Sequence, residues 1–241
     1  GLTGYGGING HPEYLRNCLE TSLKHLDTDY IDIFFLHRID HNVPIHDSLG
    51  SIQRLIEEGK VRFGGISEVC KKDLLHISNN QAVSCVQYCL NFFESSTFYS
   101  VLPILKQRNY GLATYSPFSS GWFLKEKYKS LTINKMPFFN KGFYRPHFTI
   151  YKALMQLVKH YNITMSELAL FWVLNHSDIH TTIFGTSSLF QLVENLKVLQ
   201  TKVPLTVMKE INKILEIGSK QKNILRNIIC NIGLKVTKLI R

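Results

Sequence analysis

The chain has 241 residues, of which 44% are hydrophobic and 19% charged, with a formal net charge of +10. This composition excludes a disordered or fibrous polypeptide and is typical of a globular domain. No apolar run reaches the ~18 residues that a membrane-spanning helix needs, and nothing near Gly1 resembles a signal peptide, so we expect a cytoplasmic protein. Five cysteines without a C-x-x-C pair predict reduced thiols and no disulfide framework.

Much of the positive charge lies at the carboxyl end. After Glu216 there is no acidic residue, and the basic residues there are Lys220, Lys222, Arg226, Lys235, Lys238 and Arg241. Apolar residues recur beside them at helical spacing, namely Ile224, Leu225, Ile228, Ile229 and Ile232. We therefore separate a main domain, 1–217, from a basic amphipathic tail, 218–241. The tail either packs on its own domain or lies on a membrane surface, and we expect no nucleic-acid partner.

Strand and helix patterns alternate along the chain, which predicts βα units and a parallel sheet of the α/β class. The helices are predicted at 13–25, 47–58, 72–78, 97–107, in two segments within 151–175, and at 189–199. The strands are predicted at 31–36, 61–67, 82–87, 111–116 and 181–186. The first strand is almost wholly apolar, as expected for a strand covered on both faces, and it ends at His37.

Two local patterns refine this order of elements. Thr164 and Glu167 have the spacing of a capping box, which predicts a helix start after a break at 162–164. The segment 117–146 is rich in aromatics, glycines and prolines without a clean period, and we interpret it as a long loop over the site. Its aromatics either line a pocket or only pack the loop down; they include Phe138, Phe139, Phe143 and Tyr144.

Several motifs in this order resemble the aldo-keto reductases, (β/α)8-barrel enzymes that use NADPH to reduce carbonyls. The resemblance runs from about Gly7 to Leu199, and its segments are DYID at 29–32, LHRID at 36–40, LIEEGKVR at 55–62, GISE at 65–68, VQ at 86–87, YSPF at 115–118, LALFWVL at 168–174, GTS at 185–187 and ENL at 194–196. NVPI at 42–45 further resembles the branch with pyridoxal reductase-like and perakine reductase-like members. The resemblance implies a TIM barrel, of which this chain holds about five of the eight strands.

The resemblance also implies roles for residues at the strand ends. His37 would orient the substrate carbonyl, Ser67 and Gln87 would hold the nicotinamide carboxamide, and Tyr115 would stack on the nicotinamide ring. Each assignment has a structural alternative, because a histidine also caps strand ends, polar residues are common there, and an aromatic residue also packs in a core.

A second group of residues would bind the rest of the cofactor. Ser116, Pro117 and Phe118 would border the pyrophosphate, Gly185, Thr186 and Ser187 would offer N–H groups to the adenosine-side phosphate, and Glu194 and Asn195 would lie near the adenine. Gln191 stands where the family often has a basic residue that grips the 2′-phosphate. The expected cofactor is NADPH, and NADH is the less expected alternative. Because Gln191 is uncharged, the preference between the two nucleotides stays open.

Family catalysis uses an aspartate, a tyrosine and a lysine besides the histidine, and only the histidine falls in the matched segments. The other three positions would precede Gly1, so we expect this chain alone to be inactive for want of a proton donor. The function implied is reduction of a small-molecule aldehyde or ketone. A non-catalytic binding protein, with a residual nucleotide groove or the basic tail as its binding surface, stays open as the alternative.

Two other motifs carry no function in this interpretation. His37, Asp40, His41 and His46 are close in sequence, but their spacing fits no common zinc site, and we expect no metal. Gly4, Gly6 and Gly7 follow no visible strand, so they lack the context of a dinucleotide-binding glycine motif.

Overall fold

The structure, a computed structural model, describes residues 7–77, 82–121, 141–200 and 203–218, with 120 and 141–148 described in backbone only. The described residues form two compact units. Unit 1 takes those within 1–90, 94–115 and 177–183, and unit 2 takes those within 91–93, 116–176 and 184–218.

Unit 1 contains one five-stranded sheet in which every pairing is parallel. The strands lie in chain order, β1 to β5, and are Ile31–Leu36, Val61–Ser67, Val83–Cys89, Gly111–Tyr115 and Thr181–Ile183. Because they are parallel, all five carboxyl ends lie at the same edge of the sheet. The predicted α/β class and its five strands are confirmed.

In the described part of unit 1, α1 Pro12–Leu26 precedes β1, and three further helices connect successive strands from β1 to β4: α2 Ile45–Glu57, α3 Lys71–His76 and α4 Ser96–Arg108. The first begins with a proline at its N-terminal turn and ends at Asp27 in the left-handed conformation. Its buried face packs with α2 and β2 in a cluster of Leu19, Leu23, Leu55 and Val61. Each such buried side chain stabilises the unit by about 2 kcal/mol.

β1 is less covered than its apolar sequence predicts. Only Leu36 is buried, at 1% exposure, whereas Asp32 and Ile33 are exposed. Ile33 pairs in register with Phe63, which is 52% exposed. The prediction that β1 is covered on both faces is therefore wrong, because among the described residues β1 is an outer strand of the sheet.

Two adjacent glycines shape the middle of the sheet. A Cβ at Gly65 would lie 2.5 Å from the Phe35 ring, and a Cβ at Gly64 would lie 2.1 Å from the carbonyl oxygen of Ala82. The β2–β3 register shifts between these two glycines. Glycine is thus required at both positions by close approach, and at Gly65 it lets the Phe35 ring lie across β2.

Unit 2 is helical. Its elements are a 3₁₀ turn at Ser119–Gly121, α5 Lys141–Tyr161, α6 Met165–Leu174, α7 Leu189–Leu196, a 3₁₀ turn at Lys197–Gln200, and α8 at 206–218. The predicted capping box of Thr164 and Glu167 is present with both of its hydrogen bonds. Trp172 is fully buried, and its indole N–H donates to Asn212 Oδ1 at 3.0 Å.

Several boundaries differ from the sequence predictions, most of them by one to three residues. β3 continues two residues further, to Cys89, and β5 stops at Ile183 instead of reaching 186. α5 begins at Lys141, so the loop predicted for 117–146 is wrong over 141–146, where Pro146 lies inside a helix although it signals a break. Residues 122–140 and the tail after Gly218 lie outside the described residues, as do the side chains of the four loop aromatics.

Candidate active site at the carboxyl edge of the sheet

Two residues predicted to hold the nicotinamide lie beside each other on neighbouring strands, Ser67 at the end of β2 and Gln87 two residues before the end of β3. Ser67 and Gln87 are partners in the β2–β3 register. Ser67 is buried and Gln87 half-buried, and the Ser67 hydroxyl donates to Gln87 Oε1 at 3.5 Å. This bond is long, so both side chains keep capacity to bind a further amide.

His37 stands beside this pair. It is one residue beyond the Leu36–Ile66 register pair, which places it level with Ser67. Its side chain is exposed, and it makes no hydrogen bond or ion pair with the part of the chain that the structure describes. A histidine with an exposed side chain just after a strand end is accessible to a ligand.

Tyr115 ends β4 and pairs in register with Cys89 at the end of β3. Burial raises the pKa of its phenol to about 12, the hydrogen bond from Arg38 opposes that rise, and the negative charge of Glu68 adds to it. Tyr115 is therefore protonated at neutral pH and is a poor proton donor to a substrate. Its half-buried ring is suited to stacking.

Glu68 also belongs to this edge, although the sequence motifs predicted no role for it. The residue follows β2 in a left-handed conformation, with φ of 54°, and its Oε1 accepts the N–H of Cys89. The Cys89 thiol donates to Glu94 Oε2 at 3.2 Å, and burial raises its pKa well above the usual range, so it is not a nucleophile. The GISE motif marks Glu68, but no sequence signal marks its backbone conformation.

Asp40 has a structural role next to the site. Its carboxylate accepts hydrogen bonds from the backbone N–H groups of Asn42, at 2.9 Å, and Gly10, at 3.0 Å. These two bonds, that of Asn42 first, lower its pKa. Among residues 7–77, 82–121, 141–200 and 203–218, no three His, Cys, Asp or Glu side chains are grouped closely enough to hold a metal ion.

Unit 2 holds the residues predicted to border the pyrophosphate. Ser116 has φ of 58°, and its carbonyl accepts a hydrogen bond from the buried Asn91 side chain at 3.2 Å. Pro117 and Phe118 are buried, and the Phe118 ring packs on Phe184 with centroids 5.8 Å apart. The side chains of Pro117 and Phe118 thus serve unit 2 packing, which leaves their backbone for any ligand contact. Asn91, which sequence analysis missed, fixes this turn.

The predicted phosphate-binding turn lies between β5 and α7 in the sequence. Gly185, Thr186 and Ser187 are exposed, and a Cβ built on Gly185 meets no atom within 4 Å. Ser187 donates from its N–H, at 2.9 Å, and from its hydroxyl, at 3.0 Å, to Gln191 Oε1. Gln191 therefore occupies one N–H group that was predicted for a phosphate.

The two residues predicted near the adenine differ in exposure. Glu194 forms an ion pair with Lys197 on the surface of α7. Asn195 is buried, at 6% exposure. Only Glu194 is accessible to a ligand without rearrangement.

A parallel sheet with polar residues at its carboxyl edge is typical of α/β proteins that bind a ligand at that edge. The model of the Aldo/keto reductase family matches residues 6–216. A "Probable aldo-keto reductase 1" of Glycine max is 30% identical over 216 residues, covering 88% of this chain and 62% of its own length. The chain belongs to the aldo/keto reductase family.

Solved structures show the same fold. A glycerol dehydrogenase of Gluconobacter oxydans matches with a TM-score of 0.72 at 21% identity, over 86% of this chain and 65% of its own. The holo form of an aldo-keto reductase of Bacillus halodurans matches with a TM-score of 0.69 at 20% identity, over 86% and 68%. The chain spans less than two thirds of the Glycine max relative. The five-stranded sheet is thus part of the (β/α)8 fold.

The structure has no helix, among the residues it describes, that is long and apolar enough to span a membrane.

Proposed function

We propose that the protein containing this chain reduces an aldehyde or ketone to an alcohol by hydride transfer from NADPH. The observation that carries the proposal is the position of His37, Ser67, Gln87 and Tyr115 at, or within two residues of, the carboxyl ends of four consecutive parallel strands. Ligands of parallel α/β sheets bind at that edge. Family membership supports carbonyl chemistry in general.

The residues present fit a nicotinamide. A carboxamide has one acceptor and two N–H donors. The Ser67 hydroxyl and the Gln87 amide offer both donors and acceptors, and these two side chains are hydrogen-bonded to each other. Tyr115 adds a half-buried aromatic face. When bound, the nicotinamide supplies the hydride. The side chains of this chain orient the ring and select the face that it presents.

His37 is assigned to the substrate. An imidazole N–H next to the carbonyl oxygen orients that oxygen and stabilises the negative charge that develops on it. The exposure of His37 and its lack of described partners support this role. The three other catalytic residues that the resemblance implies are not in the matched motifs, and Tyr115 is a poor acid, so this chain is assigned carbonyl orientation and cofactor binding.

The phosphates are assigned to Ser116 and to the turn at Gly185, Thr186 and Ser187. Gln191 does not supply the positive charge that would hold a 2′-phosphate, which weakens the preference for NADPH over NADH. None of the four described cysteines is part of a disulfide, which supports a reducing compartment such as the cytoplasm.

Turnover of NADPH by the purified protein, with a panel of aldehydes and ketones, tests the proposal. We expect NADPH consumption to depend on the carbonyl, and His37→Ala to lower kcat while leaving NADPH affinity near that of the parent. Asp32→Asn, on the exposed start of β1, is the matched control and should behave as the parent. Absence of both NADPH binding and turnover would contradict the proposal.

A further inference from the structure

The turn after β4 contains a residue in a disfavoured backbone conformation. Ser116 has φ of 58°, and a residue with a Cβ keeps such a left-handed conformation where surrounding contacts hold it. Its carbonyl oxygen accepts two hydrogen bonds, from Asn91 Nδ2 at 3.2 Å and from the Ser119 N–H at 3.0 Å. Of these two bonds, the one from Asn91 ties the turn to a part of the chain that is 25 residues away.

Asn91 is oriented for this bond by a second one. The residue is 0% exposed, and its Oδ1 accepts the Phe93 N–H at 3.0 Å, so both ends of its amide are bonded. Leaving a buried amide unpaired is costly, and the side chain therefore keeps this orientation. The amide acts as a fixed support for the Ser116 carbonyl.

The chain segment that carries Asn91 is anchored in the core of unit 2. Phe92, the next residue, is 3% exposed and packs on Trp172 with ring centroids 5.2 Å apart. Trp172 is fully buried in α6, and its indole N–H donates to Asn212. The position of Asn91 is thus set by tertiary packing, and the support of the Ser116 carbonyl depends on that packing.

The Ser116 hydroxyl is the group that this backbone conformation directs. Ser116 is half-buried directly after β4, and its hydroxyl makes no hydrogen bond with the residues that the structure describes. A hydroxyl can donate to a phosphate oxygen, whereas Pro117 has no N–H to offer. Because the direction of a side chain follows the backbone dihedrals, a change of φ at Ser116 would turn the hydroxyl away.

We propose that Asn91 is a positioning residue, whose amide holds the Ser116 carbonyl and so directs the Ser116 hydroxyl to the pyrophosphate of the cofactor. The inference rests on the proposed function, in which Ser116 contacts the phosphates. Asn91 acts through Ser116 and is not assigned a contact with the nucleotide.

Two variants of Asn91 test the proposal in the purified protein, with NADPH as the probe. Asn91→Ala removes both amide bonds. Asn91→Asp has nearly the shape of the parent and keeps an acceptor for the Phe93 N–H, but its ionised carboxylate has no donor for Ser116. Once melting temperatures have shown which variants are folded, we expect each to bind NADPH roughly fivefold more weakly than the parent, as for one lost hydrogen bond.

A double-variant cycle with Ser116→Ala separates positioning from a general loss of structure. If Asn91 acts through the Ser116 hydroxyl, substituting Asn91 costs almost nothing once that hydroxyl is gone. The double variant should then bind NADPH roughly fivefold more weakly than the parent, as each single variant does. Independent effects would multiply to roughly 25-fold, and so would simple repulsion between a new carboxylate and the phosphates.

Asn175→Asp is the matched control. The Asn175 Nδ2 also donates to a backbone carbonyl of unit 2, that of Phe171, at 2.8 Å, so the same substitution removes the same kind of bond. The hydrogen bonds described for Asn175 do not involve the turn at 116–121. The NADPH affinity of this variant should stay near that of the parent.

Hydrogen exchange without nucleotide gives a readout that does not depend on the proposed function. The N–H groups of Ser119 and Gly121 donate to the carbonyls of Ser116 and Phe118, and they should exchange faster in the folded Asn91 variants than in the parent or the control.

Unchanged NADPH affinity in a folded Asn91 variant, additive effects in the cycle, an equal loss in the control, or unchanged exchange in the turn would each overturn the inference. If the parent fails to bind NADPH, the proposed function fails and the claim about affinity fails with it. Faster exchange in the Asn91 variants would still support the hold of Asn91 on the turn.

Discussion

The two predicted halves of the cofactor site are held in place by different kinds of contact. At the carboxyl edge of unit 1, Ser67 bonds to Gln87 and Glu68 to Cys89, pairs that are 20 and 21 residues apart in sequence. In the turn before α7, Ser187 bonds to Gln191, four residues away. The first half is fixed by the register of the sheet, whereas the hydrogen bonds that the structure describes in the turn are local.

This difference predicts different responses to change. A substitution at the sheet edge disturbs neighbouring strands and therefore affects stability as well as binding. A substitution at Gly185, Thr186 or Ser187 disturbs no long-range hydrogen bond among the residues that the structure describes, so it should affect binding alone. The following substitutions break or sharpen that contrast, in decreasing order of expected effect.

The largest effect is expected from the same substitution made in both regions. Gly65→Ala places a Cβ 2.5 Å from the Phe35 ring and should lower the free energy of unfolding by about 2 kcal/mol, as overpacking does. Gly185→Ala meets no atom within 4 Å and should change stability by less than about 0.5 kcal/mol. Urea denaturation measures both. Equal losses of unfolding free energy in the two variants would contradict the proposed difference between the sheet and the turn.

A smaller, pH-dependent effect is expected at Asp40. The pKa of its carboxyl is lowered in the folded state, so its contribution to stability is present above the unfolded value of about 3.9 and is lost as pH falls through the folded value. Asp40→Asn should be less stable than the parent at neutral pH, because an amide cannot accept from both Asn42 and Gly10 as a carboxylate does.

Thermal unfolding as a function of pH checks the Asp40 prediction. The difference in melting temperature between parent and Asp40→Asn should shrink as the pH is lowered below about 4. A difference that stays constant down to acid pH would show that the carboxylate charge contributes nothing.

The smallest effect is expected in the turn. Gln191→Lys removes the acceptor of the Ser187 N–H and hydroxyl and adds a positive charge, so it should raise affinity for NADPH over NADH by roughly tenfold, about 1.4 kcal/mol for one new charge-assisted contact. Stability should stay near that of the parent. Titration with both nucleotides measures the ratio of the two affinities. An unchanged ratio would show that the side chain at position 191 does not contact the 2′-phosphate.

The sequence patterns predicted which strands and helices form better than they predicted where these elements begin and end. β2 runs over Val61–Ser67 as the apolar pattern indicates, and the Thr164 capping box is present. β3 extends to Cys89 because its last residues pair with β4, a tertiary contact that local composition does not encode. The helical start of α5 was hidden because Pro146 normally marks a break.

The site shows a similar division. Ser67, Gln87 and Tyr115 were singled out by the family resemblance, and the structure has them at or near the ends of β2, β3 and β4, while their roles stay predictions. Glu68 and Asn91 were not, since their roles depend on a left-handed backbone and on a buried amide bonded 25 residues away. Long-range hydrogen bonds of this kind have no local sequence signal.

The central claim is that the carboxyl edge of the sheet binds the nicotinamide. The most direct test is calorimetric titration of NADPH into the full-length parent protein and into the double variant Ser67→Ala with Gln87→Ala, after melting temperatures have shown both to be folded. The account predicts a loss of affinity of roughly tenfold or more, as expected for two lost hydrogen bonds. Equal affinity in a folded double variant would contradict it.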